Sequence, residues 1–194
     1  MTHEEKNALY DQLKEVGKLF INAVESDPGR RGVVDTPDRF SKYWMELLEG
    51  QFLTNDDIAH KCHKTFDSEA TCMVIEQNIR VYSHCEHHLA PMELDVAIAY
   101  LPKGQVLGLS KIARIANLAG KRLQLQEKLG EDIAYIIQKV CGVDDVAVYI
   151  SGVHLCLTAR GISAREAVTK TSTLKGQFLH NGAVRAEFLQ LLQL

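Results

Sequence analysis

The chain has 194 residues, of which 46% are hydrophobic and 24% charged, and its formal net charge is -3 at pH 7. This length is enough for one domain with a sizeable core, and the near-neutral charge argues against a general nucleic-acid binder. No apolar run is long enough to span a bilayer, so we expect no membrane association. The polar N-terminus is not typical of a signal peptide, and the five cysteines show no close-paired disulfide framework. We therefore expect a cytoplasmic protein with free or metal-bound thiols.

The first part of the chain, residues 1–70, is predicted to be an N-terminal helical region. Apolar residues recur at helical spacing from about His3 to Val24, which predicts an amphipathic helix. A second helix is predicted to begin with Thr36 as its N-cap and Pro37 at its first helical position, and to run to Gly50.

Two features of this region could be functional, but each has a simpler structural interpretation. Arg39 lies in the first turn of the second helix, where a solvated side chain is the ordinary interpretation. Residues 51–70 are polar and irregular, and they contain Cys62 and His63. These two residues could ligate a metal, but we interpret them as a surface pair.

The remaining residues, 71–194, are predicted to form a second region, which contains most of the candidate functional residues. Met73 to Tyr82 and Met92 to Leu101 are predicted strands, the second ending at a Pro-Lys-Gly turn. Between them lies the sequence Ser-His-Cys-Glu-His-His, residues 83–88, which places a thiol, a carboxylate and three imidazoles together. Thiolate and imidazole are the ligands that zinc prefers.

The spacing within this stretch predicts a turn. Cys85 and His88 are three residues apart, and in a straight strand they would point to opposite faces. Both can reach one ion only if the backbone bends after the strand. His87 would then lie beside the metal without being needed as a ligand.

The next element is a predicted helix that begins near Leu109. Ser110 suits its N-cap, and Lys111 and Arg114 share one face at i, i+3. Two cations near a helix N-terminus are typical of an anion site, because free N–H groups point the same way. A solvated basic face explains them equally well.

A second helix of this region is predicted to continue to Gly142. Gln126 and Glu127 lie at its start, and such a pair can read the edge of a heterocycle that offers N–H and NH2 groups. Exposed helices are rich in these residues, so the pair alone is weak evidence. Two helices joined by a short break suggest an antiparallel pair laid over the sheet.

The second half of the candidate metal site lies far downstream. Val146 to Ser151 and Val153 to Ala159 are two predicted strands, split at Gly152. Strand period would place His154 and Cys156 on the same face.

Cys85, His88 and Cys156 thus supply three ligands, and an open fourth position is typical of a catalytic zinc site. Two other interpretations of these residues stay open. His154 or His87 could be a fourth ligand of a structural site, or Cys156 could be an ordinary buried thiol.

The C-terminal part contributes no further motif. Thr169 to Thr173 is polar and β-prone, and Val184 to Leu194 is predicted to be a terminal helix that packs, for example against another subunit. The chain has no P-loop and no Rossmann glycine pattern, so any nucleotide would be bound another way.

Together these segments resemble the GTP cyclohydrolase I family. The resemblance runs from about residue 14 onward and rests on several motifs in the same order. These are Asp-Thr-Pro at 35–37 with Arg39, Cys-Glu-His-His at 85–88, Gly-Leu-Ser-Lys-Ile-Ala-Arg at 108–114, Gln-Leu-Gln-Glu at 124–127, and His-Leu-Cys with Ala-Arg-Gly within 154–161.

The resemblance implies an α+β tunnelling fold (T-fold), an antiparallel sheet with two helices on one face plus N-terminal helices. It also implies a ring oligomer, typically a homodecamer, with active sites between subunits. The implied reaction converts GTP and water to formate and 7,8-dihydroneopterin triphosphate, the first step of folate and pterin biosynthesis.

The resemblance also assigns roles. Cys85, His88 and Cys156 hold Zn2+, which activates the water that attacks guanine C8. His154 exchanges protons at the purine, and His87 is the acid/base for opening of the ribose. Glu127 with Gln126 holds guanine, and the triphosphate is held by Ser110, Lys111, Arg114, Arg160 and Arg39.

Two departures from the family pattern and two alternative functions remain. Leu94 and Ala97 stand where relatives often carry a Gly and a His, which we interpret as packing changes, and residues 162–170 match loosely. One alternative is a non-catalytic zinc- and nucleotide-binding paralogue, which would show four protein ligands. The other is a related tunnelling-fold enzyme acting on another pterin or a deazapurine.

Overall fold

A computed structural model describes residues 1–193. They form two compact units, Met1–Phe52 and the chain from Leu53 onward. The helices are α1 (His3–Val24), α2 (Thr36–Leu47), α3 (Asn55–Cys62), α4 (Leu109–Gly120), α5 (Gln126–Cys141), α6 (Leu155–Thr158), α7 (Gln177–His180) and α8 (Gly182–Leu191). The strands are β1 (Thr65–Asp67), β2 (Val74–Cys85), β3 (Pro91–Tyr100), β4 (Gln105–Leu107), β5 (Leu123–Gln124), β6 (Val146–His154) and β7 (Thr169–Leu174).

The first unit is built from α1 and α2, followed by a 3-10 turn at Glu49–Phe52. The two helices approach closely at Gly17, where an added Cβ would lie 3.0 Å from the Cβ of Phe40. Both helices begin near the predicted residues, but the N-cap of α2 is Asp35 rather than Thr36, which places Pro37 second. Helix α2 ends at Leu47, before the predicted end at Gly50.

The second unit is organised around a five-stranded sheet with the order β5-β2-β3-β6-β7. Every pairing is antiparallel except that of β2 with the short strand β5. Helix α4 packs against β2, and α5 packs against β6 and β7. The expected α+β class with an antiparallel-rich sheet and helices laid on it is confirmed.

The main core lies between this sheet and the helices. Leu129, Ile133 and Ile136 on α5 are fully buried, and each such side chain contributes about 1.5–3 kcal/mol by leaving water. Gly142 follows the helix in a left-handed conformation, with φ at 65°, so the predicted end of the helix is confirmed. Leu94 of β3 belongs to the same core, as its interpretation as a packing residue requires.

A smaller core involves the C-terminal helices. Phe178 of α7 and Phe188 of α8 meet edge to face, with ring centroids 5.6 Å apart, against Ala99 and Ala147 of the sheet. The leucine-rich end is therefore helical and partly packed within the chain. Leu194, the last residue of the predicted helix, lies outside the described residues.

The segment expected to be irregular, residues 51–70, contains an ordered helix and a strand. Thr54 and Asp57 form a capping box that begins α3, a signal present in the sequence. Helix α3 packs on α4 and α5 of the second unit, and this buries Cys62 completely. The interpretation of Cys62 as a surface residue was therefore wrong, although His63 is exposed.

Among residues 1–193, no helix is long and apolar enough to cross a membrane. All five cysteines fall within this range and are free thiols.

Candidate metal centre

The first two candidate ligands are brought together by a tight turn at the end of β2. Cys85 is the last residue of the strand. Its N–H donates to the backbone oxygen of Ala90, and its own backbone oxygen accepts from the N–H of Leu89, each at 2.9 Å. Leu89 adopts a left-handed conformation with φ at 54°, which reverses the chain. The Sγ of Cys85 lies 3.6 Å from Nδ1 of His88. The predicted turn is confirmed.

The third candidate ligand arrives from a different element than predicted. Strand β6 includes Gly152 and ends at His154, and Cys156 lies in the helical turn α6. The predicted strand from Val153 to Ala159 was therefore wrong beyond His154, and Gly152 lies within one strand and does not separate two.

The reason is the lack of a partner for a longer strand. β3 pairs with β6 only as far as Met92 opposite His154, and β7 pairs only as far as Gly152. Beyond that point, the backbone bonds to itself in a helical turn, as the N–H of Ala159 to Leu155 O at 3.0 Å shows.

Cys85, His88 and Cys156 nevertheless converge. One ligand atom from each lies within 4.8 Å of the other two. Zinc–sulfur distances of about 2.3 Å and zinc–nitrogen distances of about 2.0–2.1 Å put tetrahedral donors roughly 3.5–3.8 Å apart. Side-chain movements of about 1 Å would therefore close the group around one ion.

The chemistry of the two thiols also favours a cation between them. Burial raises the pKa of the Cys156 thiol, and a hydrogen bond and charge interaction with Cys85 raise it further. Two neighbouring thiolates repel each other, so both are held as ligands only if a positive ion lies between them. The donor set of two thiols and one imidazole fits zinc.

The two other histidines of the prediction occupy different environments. His154 is half-buried, and its Nε2 lies 2.8 Å from Oε1 of Gln126. Burial lowers the pKa of His154, while the negative charge of Glu127 opposes this shift. His87 is exposed, with its ring centroid 6.1 Å from that of His88.

The two candidate guanine-binding residues differ in exposure. Glu127 is exposed and lies close enough to His154 to influence its pKa. Gln126 is buried, and its amide nitrogen donates to Ile150 O, Thr169 O and Thr171 Oγ1, each at 3.1 Å. Its side chain is therefore engaged within the protein.

Four of the five predicted phosphate-binding residues lie in the second unit. The N-cap of α4 is Gly108, so Ser110 is the second helical residue and not the cap. Lys111 and Arg114 lie on the same helix. Burial raises the pKa of the Cys62 thiol, and the charges of Lys111 and Arg114 partly offset this increase. Arg160 follows α6, and its charge lowers the pKa of the Cys156 thiol.

Arg39 belongs to the first unit. It forms an i, i+4 ion pair with Asp35, with 3.6 Å between the charged atoms. It also lines a cavity of about 670 Å³ between α1 and α2, together with Lys14, Lys18 and Lys42.

A buried polar network next to the centre was not anticipated. Asp132 accepts hydrogen bonds from Asn55 at 2.9 Å, Gln124 at 2.9 Å and Arg122 at 3.1 Å. Gln124 in turn accepts the N–H of Glu86 on its main-chain oxygen at 3.2 Å, directly after Cys85. The sequence signal for this network was Asp132, a carboxylate within the apolar face of α5.

The fold and the site together define an α+β protein with a candidate metal centre of two cysteines and one histidine. A family model described as GTP cyclohydrolase I matches residues 13–193. This match covers almost the whole chain, and the chain belongs to the GTP cyclohydrolase I family, whose members are hydrolases.

Two similar proteins, both named GTP cyclohydrolase 1, agree with this membership. A protein of Clostridium botulinum (strain Loch Maree / Type A3) named GTP cyclohydrolase 1 is 48% identical over 166 residues, covering 82% of this chain and 85% of its own. Another protein of that name, from Clostridium acetobutylicum, is 45% identical and covers 89% of this chain and 91% of its own. Among solved structures, the archaeosine synthase QueF-Like in its apo form has a TM-score of 0.45 and 17% identity, covering 55% of this chain and 94% of its own.

Proposed function

We propose that this protein catalyses the hydrolytic opening of the guanine ring of GTP. Carbon C8 leaves as formate, and the remaining atoms form 7,8-dihydroneopterin triphosphate, with net consumption of water. The observation that carries the proposal is the convergence of Cys85, His88 and Cys156, which come from two distant parts of a chain that belongs to this family.

The proposed cofactor is a zinc ion held by these three residues. Their thiol and imidazole groups match the ligand preference of zinc, and three protein ligands leave one position open. When bound in this way, zinc lowers the pKa of a water molecule and so supplies a nucleophile near neutral pH. A reducing cytoplasm, which we also propose, keeps both thiols available as ligands.

Two histidines are proposed as the proton-transfer groups. His154 exchanges protons with the five-membered ring of guanine, and it lies two residues before the proposed ligand Cys156 in the sequence. His87 serves as acid and base for the later opening of the ribose. Its side chain is exposed, so substrate can reach it. An imidazole suits both tasks because it gains and loses protons near neutral pH.

Glu127 is proposed to hold the guanine. A carboxylate accepts hydrogen bonds from adjacent N–H and NH2 groups, which the edge of guanine offers. Its negative charge acts on His154, so the base-reading group and the proton-transfer group lie in the same neighbourhood.

The triphosphate is proposed to be held by the four cations Lys111, Arg114, Arg160 and Arg39, with the hydroxyl of Ser110. A polyanion needs several positive charges when no P-loop is present. We propose that a tunnelling fold and a closed ring, a decamer, assemble these groups between neighbouring subunits.

Formate release from GTP tests the proposal. Zinc-loaded protein should release formate in step with a product that becomes a fluorescent pterin after oxidation, and a chelator should stop both. The His87→Ala variant is the matched control, because it should retain zinc and GTP but form no product. Zinc-loaded protein that binds GTP without releasing formate would contradict the proposal, and loss of zinc from the His87 variant would contradict the role given to that residue.

A further inference from the structure

Gln126, the first residue of α5, has an amide group whose orientation is fixed by its surroundings. Its nitrogen lies 3.1 Å from each of three oxygens, namely Ile150 O, Thr169 O and Thr171 Oγ1. Two of these are backbone carbonyl oxygens, which only accept hydrogen bonds. The nitrogen of the amide must therefore face the sheet, and its oxygen must face the other way.

The amide oxygen faces His154. Oε1 of Gln126 lies 2.8 Å from Nε2 of His154, and an amide oxygen can only accept a hydrogen bond. Nε2 must then carry the hydrogen. In the neutral ring this leaves Nδ1 as the single basic nitrogen, so one contact determines both the ring orientation and the tautomer.

The backbone provides room for this contact. Gly152 lies opposite the amide, and a Cβ at this position would come within 2.5 Å of Oε1 of Gln126 and 2.4 Å of Cδ2 of Leu94. A side chain at position 152 would thus displace the amide from His154. The glycine that interrupts the apolar pattern of β6 is explained by this close approach.

We propose that Gln126 is a positioning residue that holds His154 in the tautomer with hydrogen on Nε2, so that Nδ1 exchanges the proton with the substrate. This inference rests on the proposed function, and it changes the role that the family resemblance implies for Gln126. Glu127 alone then reads the edge of the guanine with its side chain, because the side chain of Gln126 is buried and engaged within the protein.

Kinetics of three variants separate positioning from substrate binding. Gln126→Met keeps the length of the side chain but removes the acceptor, and we expect kcat to fall about 10–100-fold with KM for GTP within about twofold of wild type. Glu127→Gln should instead raise KM. Gln138→Met is the matched control, since it makes the same change on the same helix, where the amide bonds Asp144 O, and should leave both constants within about twofold.

A conservative variant provides the rescue. In Gln126→Glu, a protonated carboxyl can still donate to one backbone carbonyl and accept from Nε2 of His154. We expect it to recover part of the kcat that the Met variant loses. A Met variant that raises KM and leaves kcat unchanged would overturn the proposal, because it would make Gln126 a substrate-binding residue.

The tautomer itself can be measured without activity. Solid-state 15N spectra of metal-free protein labelled at histidine, with His154→Ala to assign the signal, should show hydrogen on Nε2 of His154 in wild type and a mixture in Gln126→Met. Hydrogen on Nδ1 in wild type would overturn the proposal even if the Met variant failed to fold. Absence of formate release by wild type would contradict the proposed function but not this assignment.

Discussion

Replacing Asp132 by Asn should strongly destabilise the second unit of the protein. Asp132 is 9% exposed and forms an ion pair with Arg122, which is 8% exposed. The Asn variant keeps the shape but removes the negative charge, so the buried guanidinium of Arg122 loses its ion pair with Asp132. Removal of one partner from a buried ion pair costs about 3–5 kcal/mol.

The thermal consequence follows from the length of the chain. A change of 1 kcal/mol shifts Tm by about 2–4 °C for a protein of this size, so Asp132→Asn should lower Tm by about 6–20 °C. The measurement is thermal unfolding at matched protein concentration. Lys128→Met is the control, because Lys128 also pairs with Asp132 at 3.4 Å but is 57% exposed. An exposed pair contributes at most about 1 kcal/mol.

The pH dependence gives a second measurement on the same variant. Burial raises the pKa of Asp132, but hydrogen bonds from Asn55 and Gln124 and the charges of Lys128 and Arg122 outweigh it, so the pKa is lowered. In the unfolded chain the pKa of an Asp carboxyl is about 4, and above that pH the ionised Asp132 stabilises the folded state. This stabilisation is lost as the pH falls through the lower pKa of Asp132 in the folded state. Wild type should therefore lose stability in acid more steeply than Asp132→Asn.

Equal Tm values for the Asn and Lys128 variants would refute this reasoning. They would mean that the buried pair contributes no more than an exposed one. A wild-type acid profile parallel to that of the Asn variant would have the same consequence.

Three further predictions concern the centre itself. Cys156→Ala should lose zinc and lower formate release more than about 100-fold. Cys72→Ala, which changes an exposed free thiol, should retain zinc and formate release. Equal zinc content in the two variants would show that Cys156 is not a ligand. A mixture of inactive Cys85→Ala and Lys111→Ala chains, unfolded and reassembled together, should regain activity, because we propose that each site draws on two subunits. Mixed oligomers without activity would place both residues in one chain. Dialysis against a chelator followed by added zinc should abolish and then restore formate release, and activity that survives complete removal of metal would contradict a zinc-dependent reaction.

Some of this organisation could be predicted from the sequence because it depends on neighbouring residues. The spacing of Cys85 and His88 required a turn, and the turn is present at the end of β2. The long helices also follow from local pattern, since apolar residues at helical spacing need a single apolar surface to pack against. The capping box at Thr54 and Asp57 is equally local, so α3 was predictable although it was missed.

Other features depended on residues far apart in the chain. The segment around Cys156 alternates like a strand, yet it is helical, because β3 and β7 provide no further backbone partners beyond His154 and Gly152. Cys62 was predicted to lie at the surface, but it is buried because α3 packs on α4 and α5.

The amino-acid sequence by itself determined the chemistry of the centre, because ligand type is a property of each side chain and two of the ligands are close neighbours. Only the tertiary structure decided that Gln126 faces His154 and not open solvent. That choice depends on which carbonyl oxygens of β6 and β7 surround the amide, and strand pairing sets their positions. Hydrogen-bond partners that come from distant segments leave no periodic signal in the sequence.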